Sequence, residues 1–160
     1  MIVVSDTTPL NYLVLIGQIE LLPRLYRRVV VPQAVVDELQ HILAPQAVRT
    51  WMENPPTWLE VRNVDVTRAS RTLLDPGELA ALMLAEELHA DLVLMDERNG
   101  RDEAMRRNLR VVGTLAVLAD AASQELIDLP QVLEQLQKTN FFVSQRVLHS
   151  LLNRFNKPKP

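Results

Sequence analysis

Apolar residues fall in two rhythms along the chain. Short runs of β-branched and aliphatic residues occur at Ile2-Val3-Val4, Val29-Val30-Val31, Leu59-Glu60-Val61, Leu92-Val93-Leu94-Met95 and Arg110-Val111-Val112. Longer stretches with helical spacing separate them, so the pattern predicts strands alternating with helices. Thr8 is expected to cap the first helix with Pro9 at its first position, where a missing N–H costs nothing, and Gly17 to end it. A second helical stretch is expected around Ile19–Tyr26. Pro32 then closes the second strand and opens a helix through Ile42, with a further helix over Pro45–Glu53. Asp75-Pro76-Gly77-Glu78 starts an Ala/Leu-rich helix to His89, and Gly100–Asn108 forms the next. Thr114, Asp128-Leu129-Pro130 and Ser144 open the last three.

Short, non-alternating strands joined by helices imply a sheet buried on both faces. The fold class expected is therefore α/β, a three-layer α/β/α sandwich around a central, mainly parallel five-stranded sheet. No composition shift, repeat or low-complexity linker divides the sequence. Residues 1–155 read as a single domain, and 156–160 as a flexible tail. In such sheets ligands bind beyond the carboxyl ends of the strands, near a switch in strand order. Candidate chemistry should thus lie just after a strand or at the start of the next helix.

Composition sharpens this mainly by exclusion. A hydrophobic fraction of 48% and a charged fraction of 23% fit a globular chain with a sizeable core. The absence of cysteine removes disulfides, thiolate metal sites and Cys nucleophiles, and fits a reducing cytoplasm as the expected location. The N-terminus lacks a basic region and a long apolar region, so it reads as a strand rather than a signal peptide. No apolar run approaches the ~20 residues that a membrane helix requires. The formal charge of −3 argues against a surface that is all nucleic-acid footprint. It leaves room for an acidic metal site beside a local basic patch.

Four acids pass the positional filter. Asp6 and Asp96 directly follow the first and fourth strands, Glu38 lies on the helix after the second, and Glu78 sits in the first turn of the helix leading to the fourth. At ~4 Å and an effective dielectric of ~20, each like-charged pair would cost about 4 kcal/mol. Such a site makes sense with cations bound or with some of the acids protonated. Oxygen-only ligation suits Mg²⁺ or Mn²⁺ rather than zinc. Those ions suit phosphoryl chemistry, where they bind the scissile phosphate, acidify a bound water and stabilise the leaving oxygen.

Each acid also has an ordinary structural reading. Asp6 and Asp96 could be turn residues at strand ends, and Glu38 a solvent-facing helix residue beside the apolar face of Val35, Val36, Leu39 and Ile42. Glu78 fits a capping box with Asp75 as N-cap. Their joint placement carries the signal. His41, His89 and His149 show no ligand spacing, and Ser5, Ser123 and Ser144 lack a nucleophile-elbow context. Four glycines supply no phosphate loop of the P-loop or dinucleotide type. Arg98, Arg101, Arg106, Arg107 and Arg110 cluster after the fourth strand, a solvated helix face or, beside Asp96, a place to neutralise RNA phosphates. Trp51 and Trp58 read as core or interface anchors. Val147, Leu148, Leu151, Leu152 and Phe155 form a helical apolar stripe, either core or a dimer or partner face.

The segments Val4-Ser5-Asp6-Thr7-Thr8-Pro9-Leu10, Val31-Pro32-Gln33-Ala34-Val35-Val36-Asp37-Glu38-Leu39, Leu74-Asp75-Pro76-Gly77-Glu78-Leu79-Ala80-Ala81 and Leu92-Val93-Leu94-Met95-Asp96-Glu97-Arg98 occur in that order. Together with Arg110-Val111-Val112-Gly113-Thr114-Leu115 they give a sequence that resembles the PIN domain, the nuclease fold of VapC-like toxins. It is most similar to an uncharacterised PIN subgroup with the same Ser-Asp-Thr start and Gly-Thr-Leu segment. The resemblance implies that Asp6, Glu38, Glu78 and Asp96 form the family's acidic quartet, catalytic and metal-holding, with Thr7 or Thr8 in support. It implies divalent-metal-dependent cleavage of RNA, a homodimer, and control by a small antitoxin protein. Glu97 stands where related sequences often repeat Asp, so it is given a supporting role only. Arg98 and Arg101 are the RNA-contacting candidates.

Three alternatives differ in their requirements. A non-catalytic PIN-fold module binding RNA or protein would not need the retained quartet. A phosphorylatable receiver would pair two acids after the first strand and place a Lys after the last, where Gly113-Thr114 stands. A haloacid-dehalogenase-type phosphatase would want a second Asp at the position of Thr8.

Overall fold

The computed structural model describes residues 1–67, 69 and 73–155; the tail expected to be flexible, 156–160, lies outside them. The chain falls into two compact units, Met1–Thr114 and Leu115–Pro160. In the first, the elements run β1 (Val3–Ser5), α1 (Thr7–Leu15), α2 (Leu21–Tyr26), β2 (Val29–Pro32), α3 (Gln33–Leu39) and α4 (Gln46–Glu53). They continue as β3 (Leu59–Arg62), α5 (Pro76–Leu88), β4 (Leu92–Leu94), α6 (Arg98–Arg106) and β5 (Val111–Val112).

The five strands form one sheet in the order β3-β2-β1-β4-β5. Every pairing is parallel. The chain works outward from β1 to β3, then crosses back to β4 and works outward the other way. Right-handed crossovers therefore place α1–α4 on one face and α5 and α6 on the other. This is the three-layer α/β/α arrangement expected from the pattern. The order reverses between β1 and β4, so the loops after these two strands open side by side at the switch point.

Strand residues are apolar on both faces because both faces are covered. Val4 is in register with Val30 and Val93, and the three cluster with Ala81, Leu82, Leu84 and Ala85 of α5 and Ala104 of α6. The alternate residues Val3, Ser5, Val31, Leu92 and Leu94 face the other way and are also buried. Ala81 and Ala85 of α5 are buried in this cluster, and Asp75, at the N-cap of that helix, brings a carboxylate oxygen within 4.8 Å of one from Asp6 just after β1.

Several boundaries differ from expectation. Helix α1 begins at Thr7 with Asp6 at its N-cap, not Thr8, and Asp6 makes no side-chain cap bond. Asp6 is tied to the sheet instead, its amide donating to Leu94 O at 2.9 Å. Helix α3 ends at Leu39 rather than Ile42; the chain turns there, and Ile42 and Leu43 stand 77% and 85% exposed. Helix α6 starts at Arg98, two residues before Gly100. Trp51 and Trp58, partly buried, stack at 6.1 Å with a tilt of 41°.

The second unit holds α7 (Thr114–Ser123, which begins on the last residue of the first unit), α8 (Leu129–Gln137) and α9 (Gln145–Phe155). Asp128 caps α8 by accepting from the Gln131 amide, and Ser144 Oγ accepts from the Val147 amide at the start of α9. Helices α8 and α9 are in contact, and Leu129, Val132, Leu133, Leu136 and Leu148 on them are buried. Of the expected stripe on α9, Val147 is exposed and Leu151, Leu152 and Phe155 are half-buried. Among the described residues no helix is long and apolar enough to cross a membrane.

Candidate metal centre

Asp6 occupies the first position after β1 and is 3% exposed. Its Oδ1 is buried and has no hydrogen-bond partner. Burial pushes its carboxyl well above the usual aspartate range; the Thr7 amide pulls the other way, and the carboxylates of Asp75, Glu78 and Glu38 raise it further.

Glu38, expected on spacing alone to face solvent, is half-buried. The Thr7 hydroxyl donates to its Oε2. Burial raises its pKa first, the Thr7 bond opposes this, and Asp75 adds to the rise. The Gly77 amide at the N-terminus of α5 also bonds it and favours the charged form. A Cβ on residue 77 would lie 2.5 Å from Glu38 Oε1 and 2.7 Å from Oε2. Glycine here is the condition for the Glu38 carboxylate to rest on the first turn of α5.

The capping box at Asp75–Glu78 forms as expected. Asp75 Oδ1 accepts from the Glu78 amide at 2.8 Å, and Glu78 Oε1 accepts from the Asp75 amide at 3.3 Å. Glu78 is nevertheless 5% exposed, and its Oε2 is buried without a partner. Burial, then its hydrogen bond with the Asp75 side chain, pushes Glu78 up to about 7. A helix cap needs only one of the two oxygens, so the second remains to be accounted for.

The structure thus gathers Asp6 and Glu38 with Asp75: one carboxylate oxygen from each lies within 4.8 Å of the others. Ionised together, these acids repel one another, which favours a bound cation or protonation of some of them. The sequence pattern marks Asp75 only as a cap. The signal that could have found it is its place in the same helical turn as Glu78, on the helix that starts at the switch point.

Asp96 lies after β4 in a different setting. Thr114 donates to both of its oxygens, from the amide to Oδ1 at 2.8 Å and from the hydroxyl to Oδ2 at 2.6 Å. Burial raises its pKa, while the two Thr114 bonds and the nearby Arg101 guanidinium lower it. Residue 113 is again glycine, and a Cβ there would meet Asp96 Oδ1 at 2.7 Å. Glu97 is exposed at the N-cap of α6 without a side-chain cap bond, and its charge acts on both Asp96 and Glu78. Thr8 is half-buried in the first turn of α1.

The arginine cluster divides. Arg106 and Arg107 pair with Glu103, and Arg107 also with Glu86, so these two belong to the helix surface rather than to a phosphate patch. Arg98 and Arg101 are exposed at the start of α6. His41 Nδ1 accepts from the Leu43 amide and His89 ends α5 with φ 51°, structural placements outside the acid cluster.

The donor set fits a hard divalent cation: oxygen atoms only, from a buried Asp6, a half-buried Glu38 and an exposed Asp75, with an unpartnered carboxylate oxygen on Asp6.

The fold has a solved counterpart in a PilT N-terminus domain protein of the hyperthermophilic archaeon Sulfolobus solfataricus P2. The two are 18% identical, with a TM-score of 0.56 over 76% of this chain and 93% of that one. No curated protein matches the sequence. A family model described as a PIN domain (DUF3368) matches residues 2–157, which span both compact units. The chain belongs to the PIN-domain family.

Proposed function

We propose that this protein is a divalent-metal-dependent endoribonuclease that hydrolyses RNA phosphodiester bonds with Mg²⁺ or Mn²⁺. The observation that carries the reading is the unpartnered, buried Asp6 oxygen within a group of carboxylates at the switch point of the sheet. Asp6, Glu38, Glu78 and Asp96 would hold one or two such ions. When bound, the metal would supply charge neutralisation at the phosphate and acidification of a water.

The chain's own residues have separable tasks in this reading. Thr7 orients Glu38 through its hydroxyl, and Thr114 fixes the Asp96 carboxylate. Arg98 and Arg101, exposed beside Asp96, would receive phosphates of the RNA backbone. The finer parts of the reading rest on membership of the family. They are a single PIN-like domain over residues 1–155, a homodimer, a cytoplasmic setting, and the role of toxin held in check by a small antitoxin protein.

The test is direct. Purified protein with Mn²⁺ should cut single-stranded or structured RNA. D6N should lower the rate by about 100-fold or more, as expected when an ion-holding oxygen is replaced by an amide. Equal cleavage by D6N would overturn the reading.

A further inference from the structure

The sequence assigns Asp75 a cap, and the structure gives it a second setting. We infer that Asp75 is a direct ligand of the divalent cation, completing a three-carboxylate site with Asp6 and Glu38. The inference deepens the proposed nuclease site and rests on that reading for its biological meaning.

Three observations support it. A ligand oxygen of Asp75 lies within 4.8 Å of one from Asp6 and one from Glu38, a spacing that a single ion can bridge. Among the described residues none of the three forms an ion pair, so the anionic cluster has no cationic partner there. Independently, Asp6 is 3% exposed and its Oδ1 has no hydrogen-bond partner, a buried acceptor on the same carboxylate that meets Glu38 and Asp75 and one left for a ligand.

The cap and the ligand role are compatible. The cap uses Asp75 Oδ1 for one bond from the Glu78 amide. A carboxylate offers about four acceptor positions, so capacity for a cation remains. Glu78 serves the same site through both oxygens: its Oε1 accepts from the Asp75 amide and so holds the backbone of Asp75 in place, and its unpartnered Oε2 stays available to the ion.

Asparagine caps helices as well as aspartate does, so D75N retains the cap and removes the charged ligand. Mn²⁺ binding by calorimetry, without RNA, should be at least tenfold weaker in D75N, with the metal-free melting temperature unchanged or raised. Two comparisons isolate the cause. D128N makes the same exchange at the cap of α8 and should leave Mn²⁺ affinity unchanged. D37N removes an equal charge from the exposed position next to Glu38 and should change it by less than about twofold. A D75N affinity equal to the parent, or equal losses in D75N and D37N, overturns the inference. So does a parent protein that takes up no Mn²⁺. Weakened binding in D75N together with a parent that binds Mn²⁺ but cuts no RNA would leave the inference standing and sink the nuclease reading.

Discussion

Asp6 and Asp96 sit at equivalent places, one residue beyond β1 and two beyond β4, yet they are opposites in how they are satisfied. Thr114 donates to both oxygens of Asp96. Asp6 is the more buried of the two and keeps one oxygen without any partner. A buried acceptor left unmade costs its full desolvation, whereas one bonded twice returns most of it. The protein thus spends its stabilising contacts on one side of the switch point and leaves the other strained. The strained side is the one where Asp6, Glu38 and Asp75 converge.

The same substitution at the two positions should therefore act in opposite directions on the metal-free protein. D96N loses the charged acceptor of two bonds and turns amide hydrogens toward donors, so it should destabilise by about 2–3 kcal/mol in denaturant titration. D6N replaces a buried ionisable group, whose burial and neighbouring carboxylates disfavour its charged form, with a neutral one and should stabilise by about 1 kcal/mol. A shift of the same sign in both would break the comparison.

G77A sharpens it from the other side. Its Cβ would fall within 3 Å of the Glu38 carboxylate, the movable end of a side chain, so Glu38 should swing away while the helix stays intact. Mn²⁺ affinity should drop about tenfold or more, with stability altered by less than about 1 kcal/mol. Calorimetry and thermal melting on one sample would separate the two effects.

The smallest expected effect is on pH dependence. Glu78 is raised from an ordinary value of 4.5 to about 7, so the folded state holds its proton more tightly than the unfolded chain does. Its contribution is fully present below about 4.5 and is lost as pH rises through about 7. Metal-free melting temperature should therefore fall between pH 5 and 7.5, by about 2–4 °C for each kcal/mol lost. Asp65 and Glu103 are shifted downward and act in the opposite sense. Both lie outside the acid cluster, so the difference between melts with and without saturating Mn²⁺ isolates the site: Mn²⁺ should flatten the fall.

How much of this was legible in the chain varies with the range of the interaction responsible. The strands could be read because parallel strands covered on both faces are apolar throughout, as Val29-Val30-Val31 and Leu92-Val93-Leu94 are. The capping box at Asp75 could be read because it closes within three residues. The end of α3 could not, because Ile42 extends the apolar spacing of Val35, Val36 and Leu39 and yet points to solvent. Nor could the partner of Asp96, since Thr114 is 18 residues away and reaches it only once β4 and β5 pair. Asp75 is legible only in its capping role, because propensity rules describe the helix it starts and not the carboxylates that other elements bring to it.

The glycines carry a consequence of their own. Three of the four, Gly77, Gly100 and Gly113, lie against carboxylate oxygens of Glu38, Glu78 and Asp96 respectively, each where a Cβ would come within 2.7 Å. The centre is shaped as a mould, by atoms that are missing as much as by those present. A methyl group at any of the three positions pushes an acid out of place without removing it from the sequence. Loss of function can therefore arise in a variant that keeps every acidic residue, and an inventory of carboxylates alone would pass it as intact.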